Sequence, residues 1–476
     1  MARPKPQRIR DPIHNLIEFG SDQFESTLWR LIQTAPFQRL RRIRQLGFSE
    51  FVFPGATHTR FAHSIGVFHT ARQLMQVIRR YVSANQQQFR DHQAQYALTA
   101  ALLHDVGHGM FSHAFEAVGK EFNWPMARHE EVSQRLIRNS EISAILDAEF
   151  GRGYAGNVAD IIAQGIPNDL YGSVVYSQFD ADRLDYMQRD RLMTGIQSSG
   201  VDPTWLLANL EVAEVQTGVD DAGTGKVETL VLGPKAIHAA ESYVLALFHL
   251  YPNVYFHKAT RGAEKTFQAL MRRLVQLHAK GAAASSGLPE RHPILRFIAE
   301  PSNLDRALAL DDSVFWGALS MLIESEDEQV RRWSSALRER RLLCCFDIKR
   351  RVEDVMPTTM ERKERQARVK LVCDAVVKAL QEHNAGNPGG RPRFLIDQYA
   401  RDPYKRFQDS KSPLNQIQIR VGEGPPTDMA EFSAVIANAE PFNLCRAYVF
   451  RDDKDAESMI ENEVRTKTRE VADGDA

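Results

Sequence analysis

Residues 103–113 read LHDVGHGMFSH and place three histidines and one aspartate within eleven positions. His104 and Asp105 end a nearly all-apolar stretch, which predicts a buried helix over 93–106. A buried carboxylate is unfavourable unless it is paired or bound to a metal. Imidazole nitrogen and carboxylate oxygen together suit divalent ions such as iron, manganese, zinc or magnesium. The pair therefore predicts a metal site, and a structural salt bridge of Asp105 is the alternative.

Two flanking segments offer further ligands. The stretch 60–66, RFAHSIG, places His63 on a predicted helix, and the stretch 179–186, FDADRLDY, places acids on a later one. Asp182 and Asp185 are three residues apart, so they share one helix face. Eight of the fifteen histidines lie between positions 58 and 129, which makes the front of the chain the expected site of chemistry.

The composition is that of an ordinary globular protein. The 476 residues are 43% apolar and 25% charged, and 60 Lys+Arg against 61 Asp+Glu leave a net charge of −1. This balance does not indicate a nucleic-acid partner, although one remains possible, and no apolar run approaches the ~18 residues of a membrane span. Four cysteines are too few for a disulfide framework, so we expect a cytoplasmic protein without membrane contact.

Apolar periodicity predicts a mainly α fold. The predicted helices cover 24–47 with a break at 34–36, 59–82, 93–106, 128–138, 156–164, 177–192, 235–250, 254–279 and 361–383. Strands are predicted at 210–216 and 226–232, as a small β-hairpin around the turn 218–225, and at 393–398, 415–421 and 446–450.

The chain is expected to divide at the linker-like stretch 280–289. This division gives a core over 1–280, a smaller helical or α+β C-terminal lobe over 281–455 with a regulatory or oligomerisation role, and a mobile acidic tail over 456–476.

The order of His63, His104-Asp105 and Asp182 resembles the HD superfamily of metal-dependent phosphohydrolases. Further motifs resemble the HD-domain deoxynucleotide triphosphohydrolases, which include the vertebrate enzyme with a sterile-alpha-motif domain and its bacterial relatives. These motifs are DPIH at 11–14, FQRLR at 37–41, QLG at 45–47, VFPG at 52–55, THTRF at 57–61, HE at 129–130 and YFHK at 255–258. The resemblance covers roughly residues 9–262. It implies a helical HD core that hydrolyses a dNTP to a deoxynucleoside and intact inorganic triphosphate.

The resemblance also implies roles for the residues that match. The metal ligands are His63, His104, Asp105 and Asp182, and the ion is Mn²⁺, Fe²⁺, Mg²⁺ or Zn²⁺. His129 matches the general acid toward the 5′-oxygen leaving group. His113 matches a second catalytic histidine, held by Glu116 where the family often has Asp. His108 falls at a position beside the phosphates.

Other matches are expected to line the dNTP substrate. They are Arg60 and Arg183 for the triphosphate, Gln45 and Asp190 for the 3′-hydroxyl, Leu46 and Tyr255 beside the 2′ carbon, and Tyr186 along the sugar and phosphates. Leu247 stands where the vertebrate enzyme has an Arg that contacts the triphosphate, so one cation is expected to be missing.

Part of a nucleotide-activator site is retained. The matching residues are Gln38, Arg41, Val52, Phe53, His257 and Lys258. The guanine-reading Asp of the family falls at Gln33 and a neighbouring Asn falls at Arg10, so strict GTP dependence is not expected. Because family oligomers are built around these sites, a homo-oligomer such as a tetramer is expected.

Two other functions stay open at the level of sequence. One is an HD phosphohydrolase for other nucleotides or nucleic-acid ends, which Leu247 and the Arg-rich segments motivate. The other is a nucleotide-sensing regulator without turnover, which the altered activator residues motivate. A sensor has no need to retain His129, so the complete acid set favours an enzyme.

Overall fold

The structure is a computed structural model that describes residues 5–165, 169–198, 200–217, 225–357, 359–387, 391–402, 404 and 416–473. The chain forms two compact units. The first comprises Met1–Asn253, Ala299–Phe315 and Asp402–Glu440, and the second comprises Val254–Ile298, Trp316–Arg401 and Pro441–Ala476. Both units are therefore built from separate stretches of sequence.

Helices dominate the described residues. They are α1 (Gln23–Ile32), α2 (Ala35–Arg39), α3 (Arg60–Ala84), α4 (Asp91–Leu103), α5 (His113–Glu121), α6 (His129–Asn139), α7 (Glu141–Phe150), α8 (Tyr154–Gln164), α9 (Ala181–Thr194), α10 (Pro203–Ala208), α11 (Ile237–Leu250), α12 (Lys258–Ala279), α13 (Pro293–Ala299), α14 (Leu304–Leu308), α15 (Asp312–Leu322), α16 (Glu328–Arg338), α17 (Ile348–Val355), α18 (Arg362–Ala385), α19 (Ala434–Ala437) and α20 (Asp455–Asp473). The fold is mainly α, as the periodicity predicts.

Within the described residues, the strands form three small sheets. They are β1 (Gln7–Asp11), β2 (Asn15–Phe19), β3 (Leu210–Thr217), β4 (Gly225–Leu232), β5 (Cys344–Asp347), β6 (Leu395–Arg401), β7 (Gln418–Ile419), β8 (Thr427–Asp428) and β9 (Phe442–Val449). β1 and β2 form an antiparallel pair, the order β3-β4-β7-β8 makes a second sheet, and β5-β9-β6 makes a third. The predicted hairpin is confirmed as β3 and β4, whose register pairs Leu210 with Leu232, and its predicted turn lies almost wholly outside the described residues.

Helix α3 is the centre of the first unit and packs against both α4 and α9. Its inward face is apolar, with Ile65, Phe68 and Leu74 almost completely buried. Asp180 caps the N-terminus of helix α9, where its side chain accepts a hydrogen bond from the Arg183 N–H, and Gly195 caps the C-terminus in the left-handed conformation. These signals fix where α9 begins and ends, and so where its acids lie.

The predicted helix over 93–106 ends earlier in the structure. Helix α4 stops at Leu103, and residues 104–107 form a turn. Ser133 holds this turn, because its hydroxyl accepts from the Gly107 N–H at 2.9 Å and donates to the His104 carbonyl at 3.1 Å. The His104-Asp105 pair therefore lies just after a buried helix instead of inside it.

Two features of the second half of the chain differ from the predicted division. The stretch 280–289 lies within the second unit, where Ser286 and Leu288 are buried, so it does not separate two units. Residues 455–473 are not a mobile tail, because α20 buries Ala456, Ile460 and Val464 in a hydrophobic cluster with α17 and α18. Among the helices of the described residues, none is long and apolar enough to cross a bilayer.

Candidate active site

The four predicted metal ligands come together in the first unit. His63 lies on α3, His104 and Asp105 lie in the turn after α4, and Asp182 lies in the first turn of α9. His63 Nε2 is 2.9 Å from Asp182 Oδ1 and 3.7 Å from Asp105 Oδ2. His104 Nε2 is 3.3 Å from Asp105 Oδ1 and 3.7 Å from Asp182 Oδ1. Two imidazoles and two carboxylates therefore surround one point.

Hydrogen bonds fix the tautomer of His104 and orient His63. His104 Nδ1 lies 2.9 Å from the carbonyl of Ala101, which can only accept, so Nδ1 carries the proton. His104 Nε2 then carries the lone pair, and it is buried without a hydrogen-bond partner in the described chain. His63 Nδ1 contacts Asp185 Oδ2 at 2.8 Å, which is the support that a metal-binding histidine usually receives from a carboxylate. Both Nε2 atoms are thereby placed to bind a metal.

The charges at this point also favour a cation. Burial alone would lower the pKa of His63, but Asp182 and Asp185 outweigh it and raise the pKa to about 10. Burial raises the pKa of Asp182, but His104 and His63 hold it well below its usual range. The carboxylates thus stabilise positive charge at this point, and a divalent ion of the manganese, iron, magnesium or zinc type fits the donor set.

A second layer of buried charge holds His63 in place. Asp185 is fully buried, and its two oxygens receive Arg189 Nε at 2.8 Å and Nη2 at 2.9 Å. Arg189 Nη1 reaches Asp11 at 2.8 Å, and His14 Nε2 contacts Asp185 Oδ1 at 2.8 Å. The sequence places Asp185 on the face of Asp182, but its link to Asp11 and His14 was missed. The i, i+4 spacing of Asp185 and Arg189 is the signal that indicates the pair.

The predicted catalytic histidines converge on Glu116. Glu116 Oε2 lies 3.1 Å from His113 Nδ1, and its Oε1 bonds His129 Nδ1. The His108 ring stacks on the His129 ring with centroids 3.9 Å apart, and His108 Nε2 is 3.1 Å from Asp105 Oδ1. The longer side chain of Glu116 therefore reaches both histidines, and His108 connects this cluster to the proposed metal ligands.

The geometry of this second cluster favours proton transfer over metal binding. Donor atoms of His108, Glu116 and His129 lie within 4.8 Å of one another. However, the two imidazole planes are only 11° apart, so their nitrogen lone pairs run side by side and do not converge on an ion. Burial tends to raise the pKa of Glu116, but hydrogen bonds from His113 and His129 hold it far below its usual range. Glu116 is thus a fixed negative charge that orients two histidines.

The residues predicted to bind sugar also meet through His58. The Gln45 N–H donates to the His58 carbonyl at 3.1 Å, and His58 Nε2 contacts Asp190 Oδ1 at 2.8 Å. Gln45 Oε1 is buried and has no hydrogen-bond partner among the described residues, so it can accept from a ligand hydroxyl. His58 is 7% exposed, so this contact is buried. Leu46 follows Gln45 in the same loop.

The two predicted phosphate-binding arginines differ in their surroundings. Arg60 is buried, bonds Asp105 through Nη1, and donates from Nε to Ser112 Oγ at 2.7 Å. Arg183 lies on α9 with its side chain about one-third exposed, and Asp180 raises its pKa further above the usual range. Arg60 therefore also neutralises a proposed metal ligand, Asp105, whereas the Arg183 side chain is about one-third exposed to solvent. Tyr186 lies on α9 one turn after Asp182.

Comparison with known proteins gives two family matches. Residues 60–187 match the family described as HD domain, and residues 224–287 match the HD associated region. Residues 60–187 form an HD domain. This match spans α3, the turn after α4 and most of α9, which are the elements that carry the four proposed ligands.

Relatives of the HD domain include proteins with and without a described activity. The chain is 35% identical to the uncharacterized protein YwfO of Bacillus subtilis, over 57% of each protein. It is 44% identical to the deoxynucleoside triphosphate triphosphohydrolase SAMHD1 of Bos taurus, over 40% of this chain and 36% of that protein. The matches thus span between 36% and 57% of the length of these curated relatives.

A crystal structure supports the same fold. A phosphohydrolase from Bacteroides thetaiotaomicron matches with a TM-score of 0.69 over 94% of this chain and 100% of that one. The two sequences are 23% identical, so this likeness concerns the fold alone.

The predicted activator residues fall in both units. In the first unit, Gln38 Oε1 accepts from Arg41 Nε at 2.8 Å, and the Arg41 guanidinium lies 3.5 Å from the centre of the Phe61 ring. Val52 and Phe53 follow a short 3₁₀ helix, Gly47–Phe51. Their binding role stays a prediction.

Three further predicted residues, Tyr255, His257 and Lys258, lie in the second unit at the start of α12 or just before it. Tyr255 ends a π-helical turn, Tyr251–Tyr255, and His257 caps α12 by accepting from the Ala259 N–H at 3.2 Å. Lys258 is the first residue of α12. Leu247 of the first unit is 7% exposed on α11, so it supplies no charge to a phosphate.

Proposed function

We propose that this protein is a metal-dependent hydrolase that cleaves deoxynucleoside triphosphates to a deoxynucleoside and inorganic triphosphate. The observation that carries the proposal is the direct contact between two sets of residues. The His63, His104, Asp105 and Asp182 cluster meets the His129–Glu116 pair through His108, which contacts Asp105 at 3.1 Å. A site for a cation and a site for proton transfer are therefore adjacent.

The metal would be held by His63, His104, Asp105 and Asp182. When bound, it supplies polarisation of a phosphoryl oxygen and a water of lowered pKa. The chain itself supplies the rest. Arg183 offers a guanidinium to the triphosphate oxygens, and a guanidinium binds such oxygens through two parallel hydrogen bonds.

Proton transfer is the task of the Glu116 cluster. The reaction adds water across the bond between the α-phosphorus and the 5′-oxygen, so the water oxygen ends on the triphosphate and the 5′-oxygen takes a proton. Glu116 holds His129 through Nδ1, which leaves Nε2 to deliver that proton. His113, held through its own Nδ1, is placed for a second transfer. Positioned acids of this kind contribute about 10²–10⁴-fold to a rate.

The deoxyribose preference is proposed from the loop at Gln45. The open Oε1 of Gln45 and the carboxylate of Asp190 offer acceptors for a 3′-hydroxyl. The neighbouring Leu46 offers no partner for a 2′-hydroxyl, and a buried hydroxyl without a partner is disfavoured. The partial match to SAMHD1, named as a deoxynucleoside triphosphate triphosphohydrolase, supports the same substrate class.

The first experiment supplies the purified protein with the four dNTPs and Mn²⁺. Ion-pair chromatography is expected to resolve deoxynucleosides and an equal amount of intact triphosphate. Water labelled with ¹⁸O is expected to place the label in the triphosphate. Release of orthophosphate, pyrophosphate or a nucleoside monophosphate in place of triphosphate would contradict the proposal.

A matched pair of variants assigns the activity to this site. Glu116→Gln removes the charge that orients two histidines, so kcat is expected to fall by about 10²-fold or more. Glu131→Gln makes the same chemical change on α6, where the Glu131 side chain is 42% exposed and pairs with Arg135 at 3.0 Å. That variant is expected to retain the wild-type rate.

Activation and assembly are proposed on the same basis. Gln38 and Arg41 are proposed to bind a nucleotide activator, and a homo-oligomer, such as a tetramer, is proposed to form around it. A dNTP mixture that reacts only after a trace of GTP or ATP is added, with a matching rise in mass by light scattering, would support both proposals.

A second candidate function is a hydrolase for other nucleotides or nucleic-acid ends. The observation that favours it is Leu247, which is buried and uncharged where a triphosphate-binding Arg is expected. The same assay with nucleoside mono- and diphosphates and single-stranded DNA distinguishes the two candidates by their relative rates.

A further inference from the structure

A buried carboxylate outside both clusters connects two loops of the site. Asp312, at the start of α15, is 4% exposed. Its Oδ1 accepts from the Phe111 N–H at 2.8 Å, and its Oδ2 accepts from the Arg44 N–H at 2.8 Å. Both oxygens therefore bind backbone donors, one from each loop.

Each of these loops carries proposed functional residues. Arg44 immediately precedes Gln45 and Leu46, the residues proposed to select deoxyribose. Phe111 lies between His108 and His113, and Ser112 beside it accepts from Arg60. Asp312 thus joins the sugar loop, 44–46, to the histidine loop, 108–113.

The histidine loop needs external support because its backbone is strained. Phe111 and Ser112 both have a φ of 50°, which is uncommon for residues other than glycine. Such conformations persist only where surrounding contacts hold them. The Phe111 ring stacks on Phe48 at 4.1 Å and meets the edge of Phe315 at 5.2 Å, while Asp312 holds the Phe111 N–H.

A buried arginine makes a second link between the segment that carries Asp312 and the histidine loop. Arg39 donates to the carbonyl of Leu310 at 3.1 Å, two residues before Asp312. It also donates to the carbonyls of Val106 at 3.3 Å and His108 at 2.6 Å. The segment that carries Asp312 is therefore linked through Arg39 to residues 106–108, at the start of the histidine loop.

The position of Asp312 is unfavourable for stability. Burial raises the pKa of Asp312 to about 7 and the charge of Asp311 raises it as well, although hydrogen bonds from the Arg44 and Phe111 N–H groups and the charge of Arg44 oppose the rise. An unfolded Asp titrates near 3.8, so the folded state binds this proton more tightly. Stability from this group is therefore lost as the pH rises from about 4 to about 7. A carboxylate kept at such a position needs a reason other than stability.

We infer that Asp312 is a positioning residue that fixes the sugar loop relative to the histidine loop, and so supports both turnover and rejection of ribonucleotides. The part about substrates rests on the proposed function. The part about the two loops rests on the contacts alone and can be tested without any activity.

The test compares Asp312→Asn with Asp311→Asn in the full chain. Asn keeps the shape of Asp but turns one acceptor into a donor, which then faces a backbone N–H. Amide hydrogen exchange is expected to speed up in peptides covering 40–48 and 106–113 for Asp312→Asn only. Asp311 is the matched control, because it pairs with the half-exposed Arg42 and caps α15 at Val314.

Kinetics give the second readout. Asp312→Asn is expected to lower kcat about tenfold and to lower the dNTP-to-rNTP ratio of kcat/KM about tenfold. Mn²⁺ affinity is expected to stay within about twofold, because no metal ligand is changed. The melting temperature is measured alongside, so that a loss of kcat through unfolding is distinguished from a loss of positioning.

Several results would overturn the inference. Unchanged exchange in both peptides would show that Asp312 does not hold the loops, whether or not the wild type hydrolyses dNTPs. Faster exchange with unchanged kcat and unchanged discrimination would reject the positioning role. If Asp312→Asn does not fold, Asp312→Glu keeps the charge but displaces it by one methylene, and wild-type exchange and discrimination in that variant would also reject the inference. A wild type without dNTP hydrolysis rejects the proposed function and the claim about substrates, while the exchange result still decides the claim about the loops.

Discussion

Asp182 and Asp185 are three residues apart on α9 and have different surroundings. The Asp182 side chain is 41% exposed and faces the two histidine Nε2 atoms. Asp185 is fully buried and receives two hydrogen bonds from Arg189. A buried charge that loses its partner is strongly destabilising, whereas a half-exposed one is not. The first residue is therefore suited to bind an ion and the second to hold the fold.

Substituting each of these two aspartates by Asn should separate the two roles. Asp182→Asn is expected to weaken Mn²⁺ binding about 10²-fold or more with little change in the free energy of unfolding. Asp185→Asn is expected to destabilise the protein by about 3–5 kcal/mol, because Arg189 loses its buried carboxylate. Titration calorimetry with Mn²⁺ and urea unfolding measure the two effects. Equal losses of stability in both variants would contradict this assignment.

The candidate site was predictable wherever its residues lie in short motifs. His104, Asp105, His108 and His113 fall within eleven positions, and the structure does bring them together. The supporting residues were not predictable, because their partners are distant in sequence. His14 and Asp185 are 171 positions apart, and Phe111 and Asp312 are 201 apart. Only the folded chain shows which polar groups meet over such separations.

At the scale of elements, the crossing of α3 and α9 depends on one glycine. A Cβ added at Gly66 would overlap the Asp185 carboxylate and the Arg189 guanidinium. The missing side chain lets the buried ion pair lie directly against α3. Because His63 is one turn earlier on the same helix, this close approach also sets the distance from His63 to the acids of α9.

Gly66→Ala is therefore expected to destabilise the protein by about 3 kcal/mol or more, since neither α3 nor the ion pair can move away freely. Gly317→Ala is the control. That glycine is exposed on α15, and an added Cβ meets no described atom within 4 Å, so a gain of about 0.5–1 kcal/mol is expected from helix propensity. Urea unfolding of the two variants should give opposite signs. A neutral Gly66→Ala would show that the crossing is looser than described.

The elements that were predicted from sequence are those with their own periodic pattern. The periodic apolar pattern is visible in the longer elements, which are α3, α9, α12, α18 and the β3–β4 hairpin. The β1–β2 pair was missed because each strand has only five residues and depends on tertiary contacts. Phe19 of β2 is fully buried and stacks on Phe68 of α3 at 5.0 Å. Short helices such as α14 and α19 were missed for the same reason.

At the scale of the whole molecule, the second unit has a hydrophobic core of its own. The core joins α17, α18, β9 and α20, with Ile348, Val376, Ala447 and Ile460 completely buried. The first unit holds all four proposed metal ligands. A substitution in the core of the second unit should therefore lower the stability of that unit without changing metal binding by the first unit.

Ile460→Ala tests this separation. The cavity left by a buried Ile is expected to cost the second unit about 2–5 kcal/mol, while Mn²⁺ binding by the first unit stays unchanged. Arg465→Ala, on the exposed face of the same helix, should have almost no effect. Calorimetric melting and Mn²⁺ titration measure both quantities. An Ile460→Ala variant with wild-type melting would favour the mobile tail that the composition suggested.

The divided layout of the first unit has a consequence for synthesis on the ribosome. Phe111 emerges long before Asp312, which is 201 positions later. At about 5–20 residues per second, the nascent histidine loop waits about 10–40 s for the carboxylate that binds its N–H. The last segment of this unit, Asp402–Glu440, arrives later still. During translation the half-built unit exposes apolar surface that has no partner yet, so its yield in the cell should respond to chaperone supply and to the speed of translation.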